Sequence, residues 1–177
     1  VERARELLAE AGYPNGEGFP ILELLFNTSD NHKLIAEFLQ NQWKRNLGID
    51  IRPVNVEWGD YLDRVEKMNY QIARAGWIGD YMDPHTFLNM FITDGGHNNT
   101  GWSNEEYDRL IREARGTASI EERNRLYAAA EEILLTEMPI APIFYYGNAY
   151  LISQRVKGYR SHIREIHQFR YWSLSTT

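Results

Sequence analysis

Asp80, Asp83 and His85 place two carboxylates and an imidazole within six residues of one another. Side chains of these types ligate divalent metals, and the chemistry they would support is metal-assisted hydrolysis. Their spacing matches no named metal motif, and Asp83 is followed by Pro84, the pattern of a helix N-cap with proline in the first turn. No Ser-His-Asp arrangement and no glycine-rich phosphate loop is found. Asp80 taken by itself reads as a turn or cap aspartate. Arg74 lies six residues before it. If the chain between them stays extended, rising about 3.3 Å per residue, the two charges stand roughly 20 Å apart.

Composition narrows the classes of partner. At 177 residues the chain suffices for one domain or for one lobe of a larger protein. Its hydrophobic share of 43% and charged share of 25% are those of a globular chain. The aromatic share of 13% suits a ligand cleft and a well-packed core equally. A formal net charge of −6 with a pI near 5.4 lacks a basic footprint, so nucleic acid is not an expected partner. The absence of cysteine excludes disulfides, thiolate metal sites and cysteine nucleophiles, and leaves the compartment open. The longest apolar runs, such as Ile140 to Tyr146, are far shorter than a membrane span. Val1 falls inside a helical pattern with neither an initiator Met nor a signal segment before it, so the chain reads as a fragment.

The elements that must position these side chains follow from periodicity. Ala4, Leu7, Leu8 and Ala11 have helical spacing, broken by Gly12 to Gly16. Ile21 to Phe26 reads as a buried strand. Asp30 is the expected cap of a helix whose apolar face is Leu34, Ile35, Phe38, Leu39 and Trp43, and Gly48 ends it. Ile49 to Val56 is the next strand, and the strand-helix-strand order predicts a parallel pair. Trp58, Tyr61, Leu62 and Val65 mark another helix, followed by a third extended segment from Tyr70 to Ile78. Asp83-Pro84 opens a helix through Phe87, Leu88 and Phe91. Ser103 with Glu106, and Ser119 with Glu122, fit the capping-box pattern. The helices they start carry apolar faces at Tyr107, Leu110 and Ile111, and at Leu126, Tyr127, Ala130, Ile133 and Leu134. Pro139 stops the second. Ile140 to Tyr146 and Tyr150 to Ser153 read as strands, and Val156 to Thr177 has no helical pattern.

The run Ala73 to Pro84, ARAGWIGDYMDP, followed by Phe87-Leu88-Asn89, closely resembles a signature of the oligopeptide-binding proteins of ABC transporters. The resemblance continues in family order through Asn27 to Asp30 with His32, Trp43 to Gly48, Glu57-Trp58, Asn98 to Thr100, Tyr127 with Ala130-Glu131, and Pro142 with Tyr145-Tyr146. It covers Ala4 to Tyr159, and the collinearity of several weak motifs is far more specific than any one of them. It implies the type II periplasmic-binding fold, here an α/β C-terminal lobe with a mixed sheet flanked by helices. The expected division is residues 1–149 as part of that lobe and 150–177 as a tail crossing back towards an N-terminal lobe, which would be missing. The implied partners are an oligopeptide ligand, permease subunits and that lobe, at the outer face of the cytoplasmic membrane or in the periplasm. No cofactor is implied, and the role is binding rather than catalysis.

A receptor for peptides of varied sequence must read their ammonium, backbone and carboxylate while tolerating their side chains. The resemblance assigns the ammonium to Asp80, which would gain a charge-assisted bond in a closed, dry cleft. It assigns the carboxyl ends of peptides of different length to Arg74 and His32, and the extended Arg74 to Asp80 separation is on the scale of a short peptide. Gly76-Trp77-Ile78-Gly79 would offer a backbone edge for strand addition, its glycines permitting close approach. Trp58 and Trp77 would wall the side-chain pockets, and Asn27 would line the cleft. The competing readings are a strand bend for the glycines, a first helical turn for His32, core positions for the tryptophans and loop closure for Asn27. Some relatives have cysteine where this chain has Ile78, so a disulfide formed there is not available to this chain. The same wider family takes dipeptides, nickel chelates, haem and sugars, and Asp80 with Arg74 and His32 favours oligopeptides.

Overall fold

The computed structural model describes residues 1–162 and 164–175. It comprises two compact units, Val1–Gly76 and Trp77–Thr177, each with its own buried cluster.

The first unit runs α1 (Glu2–Glu10), β1 (Leu22–Asn27), α2 (Asp30–Leu47), β2 (Ile51–Val56), α3 (Trp58–Glu66) and β3 (Ile72–Ala73). β1 is the central strand. It pairs in parallel with β2, from Leu22 opposite Ile51 to Asn27 opposite Val56, and with β3, where Leu24 meets Ile72 and Leu25 meets Ala73. Parallel neighbours require crossovers, and crossovers are right-handed. The first steps to one side of β1 and the second steps back past it, which puts α2 and α3 on opposite faces. Leu24 and Phe26 accordingly cluster with Ala36, Ile49 and Ile51, joined by Leu8, Leu39, Trp43 and Leu47. The intervening Leu25 points to the other face.

Two details of α2 differ from expectation. Ser29 occupies the N-cap position and Asp30 is the first helical residue, so Asp30 supplies a negative charge to the first turn in place of a cap. The core stripe is Ala36, Leu39, Trp43 and Leu47, while Leu34 and Phe38 are exposed. Ala36, with no accessible surface, lets the helix approach the sheet closely, and this sets its rotation. Apolar spacing alone does not report which of two adjacent stripes has a small residue at the contact. Gly48 closes α2 in the left-handed region with φ 74°, its N–H donating to Lys44 O at 3.1 Å.

The second unit contains α4 (His85–Leu88), which runs into a 3-10 turn over Asn89–Phe91, then α5 (Glu105–Gly116) and α6 (Ile120–Glu137). Its core is Leu88, Tyr107, Leu110, Ile111, Ala114, Tyr127, Ala130 and Leu134. Tyr107 is completely buried and donates its hydroxyl to Leu88 O at 2.5 Å, and burial pushes its pKa far above the ordinary value. The Ser119 cap forms as expected, its Oγ accepting from Glu122 N–H at 3.3 Å. The cap of α5 is Asn104 rather than Ser103. Its Oδ1 accepts from Tyr107 N–H at 2.9 Å while its Nδ2 donates to Glu137 at 2.7 Å, so one amide caps α5 and ties it to the end of α6. Met138, at φ 54°, ends α6 just before Pro139.

Ile140 to Tyr146 and Tyr150 to Ser153 form no strands. Tyr145 is 97% exposed and Leu151 fully so. Strand propensity states that a segment suits a sheet, but a ladder needs a neighbouring strand, and among the described residues neither segment pairs with one. The remaining regular structure is a short antiparallel pair of β4 (Val156–Lys157) and β5 (Ser173–Leu174).

A side chain at position 48 would be strained by its positive φ and its Cβ would fall on the carbonyl oxygen of Asn15. Gly48→Ala is therefore expected to lower stability by about 1–3 kcal/mol, read from the midpoint of urea unfolding.

Candidate functional site

Because β1, β2 and β3 run the same way, their carboxyl ends share one edge of the sheet. Strand order reverses about β1, so the crossovers diverge there, and such switch points are where open α/β sheets receive ligands. Four of the expected site residues sit at this edge. Asn27 ends β1, and His32 in the first turn of α2 places Nδ1 3.2 Å from the Asn27 carbonyl oxygen. Trp58 opens α3 two residues beyond the end of β2, and Arg74 follows β3 directly.

Both Trp58 and Arg74 are organised by Tyr61. The Trp58 ring, 56% exposed, stacks on the Tyr61 ring with centroids 5.5 Å apart and planes inclined by 16°. The buried Tyr61 donates its hydroxyl to the Arg74 carbonyl at 2.8 Å, and Arg74 N–H donates to Leu25 O at 2.8 Å. The main chain of Arg74 is thereby held from both sides. Its guanidinium folds over Gly76, where an added Cβ would lie 3.3 Å from Nη2, so the missing side chain makes room for the charge. Burial pushes the Tyr61 hydroxyl up, and the positive charge of Arg74 pulls it partly back.

The other expected residues, Trp77, Ile78, Gly79 and Asp80, open the second unit. The third strand ends earlier than expected, at Ala73. By its register Ala75 stands opposite Asn27, where β1 turns away, leaving no ladder partner for Gly76 onward. Among the described residues no hydrogen bond closes on the N–H groups of Gly76 to Gly79. The expected strand edge is thus an open backbone segment. Ile78 is exposed, and the Trp77 ring rests against His97 with centroids 5.0 Å apart. Asp80 is exposed and its carboxylate has no ion-pair partner among the described residues, yet its N–H donates to Thr86 Oγ1 at 2.9 Å. Thr86 is the buried polar side chain of the described residues. Gly79 packs so closely that a Cβ would lie 3.1 Å from both Thr86 Cγ2 and Phe87 Cζ.

Asp83 and His85 serve the fold around α4. One oxygen of Asp83 accepts from His85 N–H at 2.9 Å, and the other pairs with Arg123 of α6. Tyr81 Oη lies 2.5 Å from His85 Nδ1, and these residues with Asn89, Arg115 and Tyr127 line an open cleft of about 450 Å³. Burial and the charge of Arg115 hold the His85 imidazole below its ordinary pKa. Among the described residues no three His, Cys, Asp or Glu side chains converge to hold a metal, and both oxygens of Asp83 are engaged within the fold. Asn98 gathers the Phe91, Ile92 and Trp102 carbonyls around its amide nitrogen at 2.9–3.2 Å, a loop-closing role.

The model of the family described as bacterial extracellular solute-binding proteins, family 5 Middle, matches residues 1–99. The chain belongs to this family. It is 39% identical over 163 residues to the oligopeptide-binding protein OppA of Bacillus subtilis, covering 89% of this chain and 30% of that protein. It is 41% identical over 158 residues to the periplasmic murein peptide-binding protein MppA of Escherichia coli, covering 89% and 29%. The family 5 chain therefore spans about a third of the length of the curated relatives it matches. Among solved structures, Haemophilus influenzae OppA in complex with RPPGFSPFR superposes with a TM-score of 0.82 at 37% identity, over 98% of this chain and 34% of that one. The α/β architecture of a periplasmic-binding-protein lobe is the fold of this chain.

Two residues that hold the main chain at the candidate site were not singled out from sequence. Tyr61 was legible only as one apolar residue of a helix, although an aromatic three positions after Trp58 signals a ring pair on one helix face. Thr86 carried no signal, since burial of a hydroxyl depends on packing.

The depressed pKa of His85 gives a sign for pH. The unfolded chain, with the imidazole near 6.5, takes up its proton first as pH falls, so the stability contributed by the neutral ring is complete above that value and declines below it. His85→Asn, which retains an acceptor for Tyr81, is expected to flatten this decline in urea unfolding measured from pH 7.5 to 5.

Proposed function

We propose that the chain is part of the extracytoplasmic solute-binding component of an ABC importer, that it captures oligopeptides by their termini and backbone, and that it delivers them to permease subunits. The observation that carries this reading is the Asp80 carboxylate, exposed and without an ion-pair partner among the described residues while its main chain is held by a buried threonine. A fixed anion open to solvent is suited to an ammonium, and the charge-assisted bond strengthens when a closing lobe excludes water. Arg74 and His32 take the carboxyl end in peptides of different length. The open backbone of Gly76 to Gly79 adds main-chain hydrogen bonds that do not depend on side-chain identity. Trp58, Trp77 and Asn27 line pockets whose flat walls accept varied side chains.

The names of the relatives support this assignment: OppA of Bacillus subtilis is an oligopeptide-binding protein and MppA of Escherichia coli a murein peptide-binding protein. In this reading residues 1–149 form part of the C-terminal lobe and residues 150–177 cross back towards an N-terminal lobe that completes the cleft. The exposed aromatic and aliphatic side chains between Ile143 and Ile152 fit that arrangement, since they offer an apolar surface for another part of the protein to cover. The protein works in the periplasm or at the outer face of the cytoplasmic membrane, as a binding protein rather than an enzyme.

Titration calorimetry of the full-length protein with di- to penta-alanine peptides, each free or acetylated at its amino terminus, tests the reading. A hydrogen bond to a charged group contributes about 1.5–3 kcal/mol, so Asp80→Ala is expected to weaken the free peptides roughly ten- to hundredfold and to spare the acetylated ones. Absence of binding by the whole series, or unchanged affinity in the variant, overturns it.

A further inference from the structure

We infer that Thr86 is a positioning residue for the amine end of the site, acting on the ligand's ammonium through the main chain of Asp80. This inference rests on the reading of Asp80 as the ammonium-holding carboxylate and assigns a part to a residue that does not itself touch the ligand.

Three observations lead to it. First, Thr86 is only 4% exposed, and a buried hydroxyl is costly unless it is hydrogen-bonded. Here Oγ1 accepts from the N–H of Asp80 at 2.9 Å, closing the Asp80 to Thr86 loop from inside. Second, the methyl of the same side chain limits the residue before Asp80: an added Cβ on Gly79 would lie 3.1 Å from Thr86 Cγ2 and equally close to Phe87 Cζ. One side chain therefore holds Asp80 by its hydroxyl and seats Gly79 by its methyl. Third, Thr86 is itself held. It lies in α4, its N–H bonds to Asp83 O at 3.2 Å, and Asp83 is tied to Arg123 of α6. The direction in which the Asp80 carboxylate leaves the main chain is thus referred to the helical core of its own unit.

An exposed aspartate on a free loop would lose orientational freedom on meeting an ammonium. One whose main chain is already fixed loses less, and preorganisation of this kind shows as affinity. The ligand class affected is any peptide with a primary ammonium at its amino terminus.

The test uses the full-length protein and the alanine peptide of the series bound most tightly, free and acetylated. Thr86→Val keeps the shape and removes the acceptor; it is expected to weaken the free peptide about five- to tenfold and to leave the acetylated peptide unchanged. Thr86→Ser, which restores the hydroxyl, is expected to stay within about twofold of the parent for the free peptide. Should Thr86→Val not fold, Thr86→Ala against Thr86→Ser makes the same comparison. A variant without the hydroxyl that binds the free peptide like the parent, or that weakens both peptides equally, overturns the positioning role. Asp80→Ala in parallel separates the two claims: if it leaves the free peptide unaffected the ammonium reading fails, and if it alone acts the role of Thr86 fails.

Discussion

The parallel pairing of β1 with both of its neighbours is the constraint on which the first unit depends. Two strands that run the same way cannot be joined by a tight turn, so the chain must spend α2 and α3 on crossovers. Both crossovers leave from the carboxyl ends, where Asn27, His32 and Trp58 lie, and Arg74 stands just beyond the carboxyl end of β3. Their gathering at one edge therefore requires no attraction among their side chains. It follows from strand direction, and the hydrophobic cluster around Leu24, Phe26 and Ala36 maintains it.

In each unit the main chain of a charged residue assigned to the ligand is held from within by a buried hydroxyl. Arg74 is bonded through its N–H to Leu25 and through its carbonyl to Tyr61, with Gly76 making room for the guanidinium. Asp80 is bonded through its N–H to Thr86, with Gly79 seated against Thr86 and Phe87. The same arrangement recurs at the two charges proposed to meet the two ends of a peptide: a buried hydroxyl fixes the backbone, and a nearby glycine allows the close fit.

The local elements were legible where their signals are local. The Gly48 terminus, the Ser119 cap, the faces of α5 and α6 and the parallel order of β1 and β2 all follow from nearest-neighbour chemistry and periodicity. Errors arose where the outcome depends on something distant in sequence. Asn104 caps α5 because Glu137, at the end of α6, holds the same amide. The rotation of α2 is set by Ala36 meeting the sheet, and the Ile140 to Tyr146 run has strand composition without a strand beside it. The third strand stops at Ala73, although β1 continues to Asn27.

By itself the sequence determined the family and nominated the residues of the candidate site. Collinear motifs from Asn27 to Tyr146 survive as spacing whatever the packing, and the charges of Asp80 and Arg74 are properties of the residues. Tertiary structure alone decided how those charges are presented. It buried Tyr61 and Thr86, turned their hydroxyls towards the main chains of Arg74 and Asp80, and engaged both oxygens of Asp83 in the fold of α4. The physical reason is that burial and hydrogen-bond pairing belong to the surroundings of a side chain: a tyrosine at helical spacing or a threonine after a histidine acquires its partner only when remote segments pack around it.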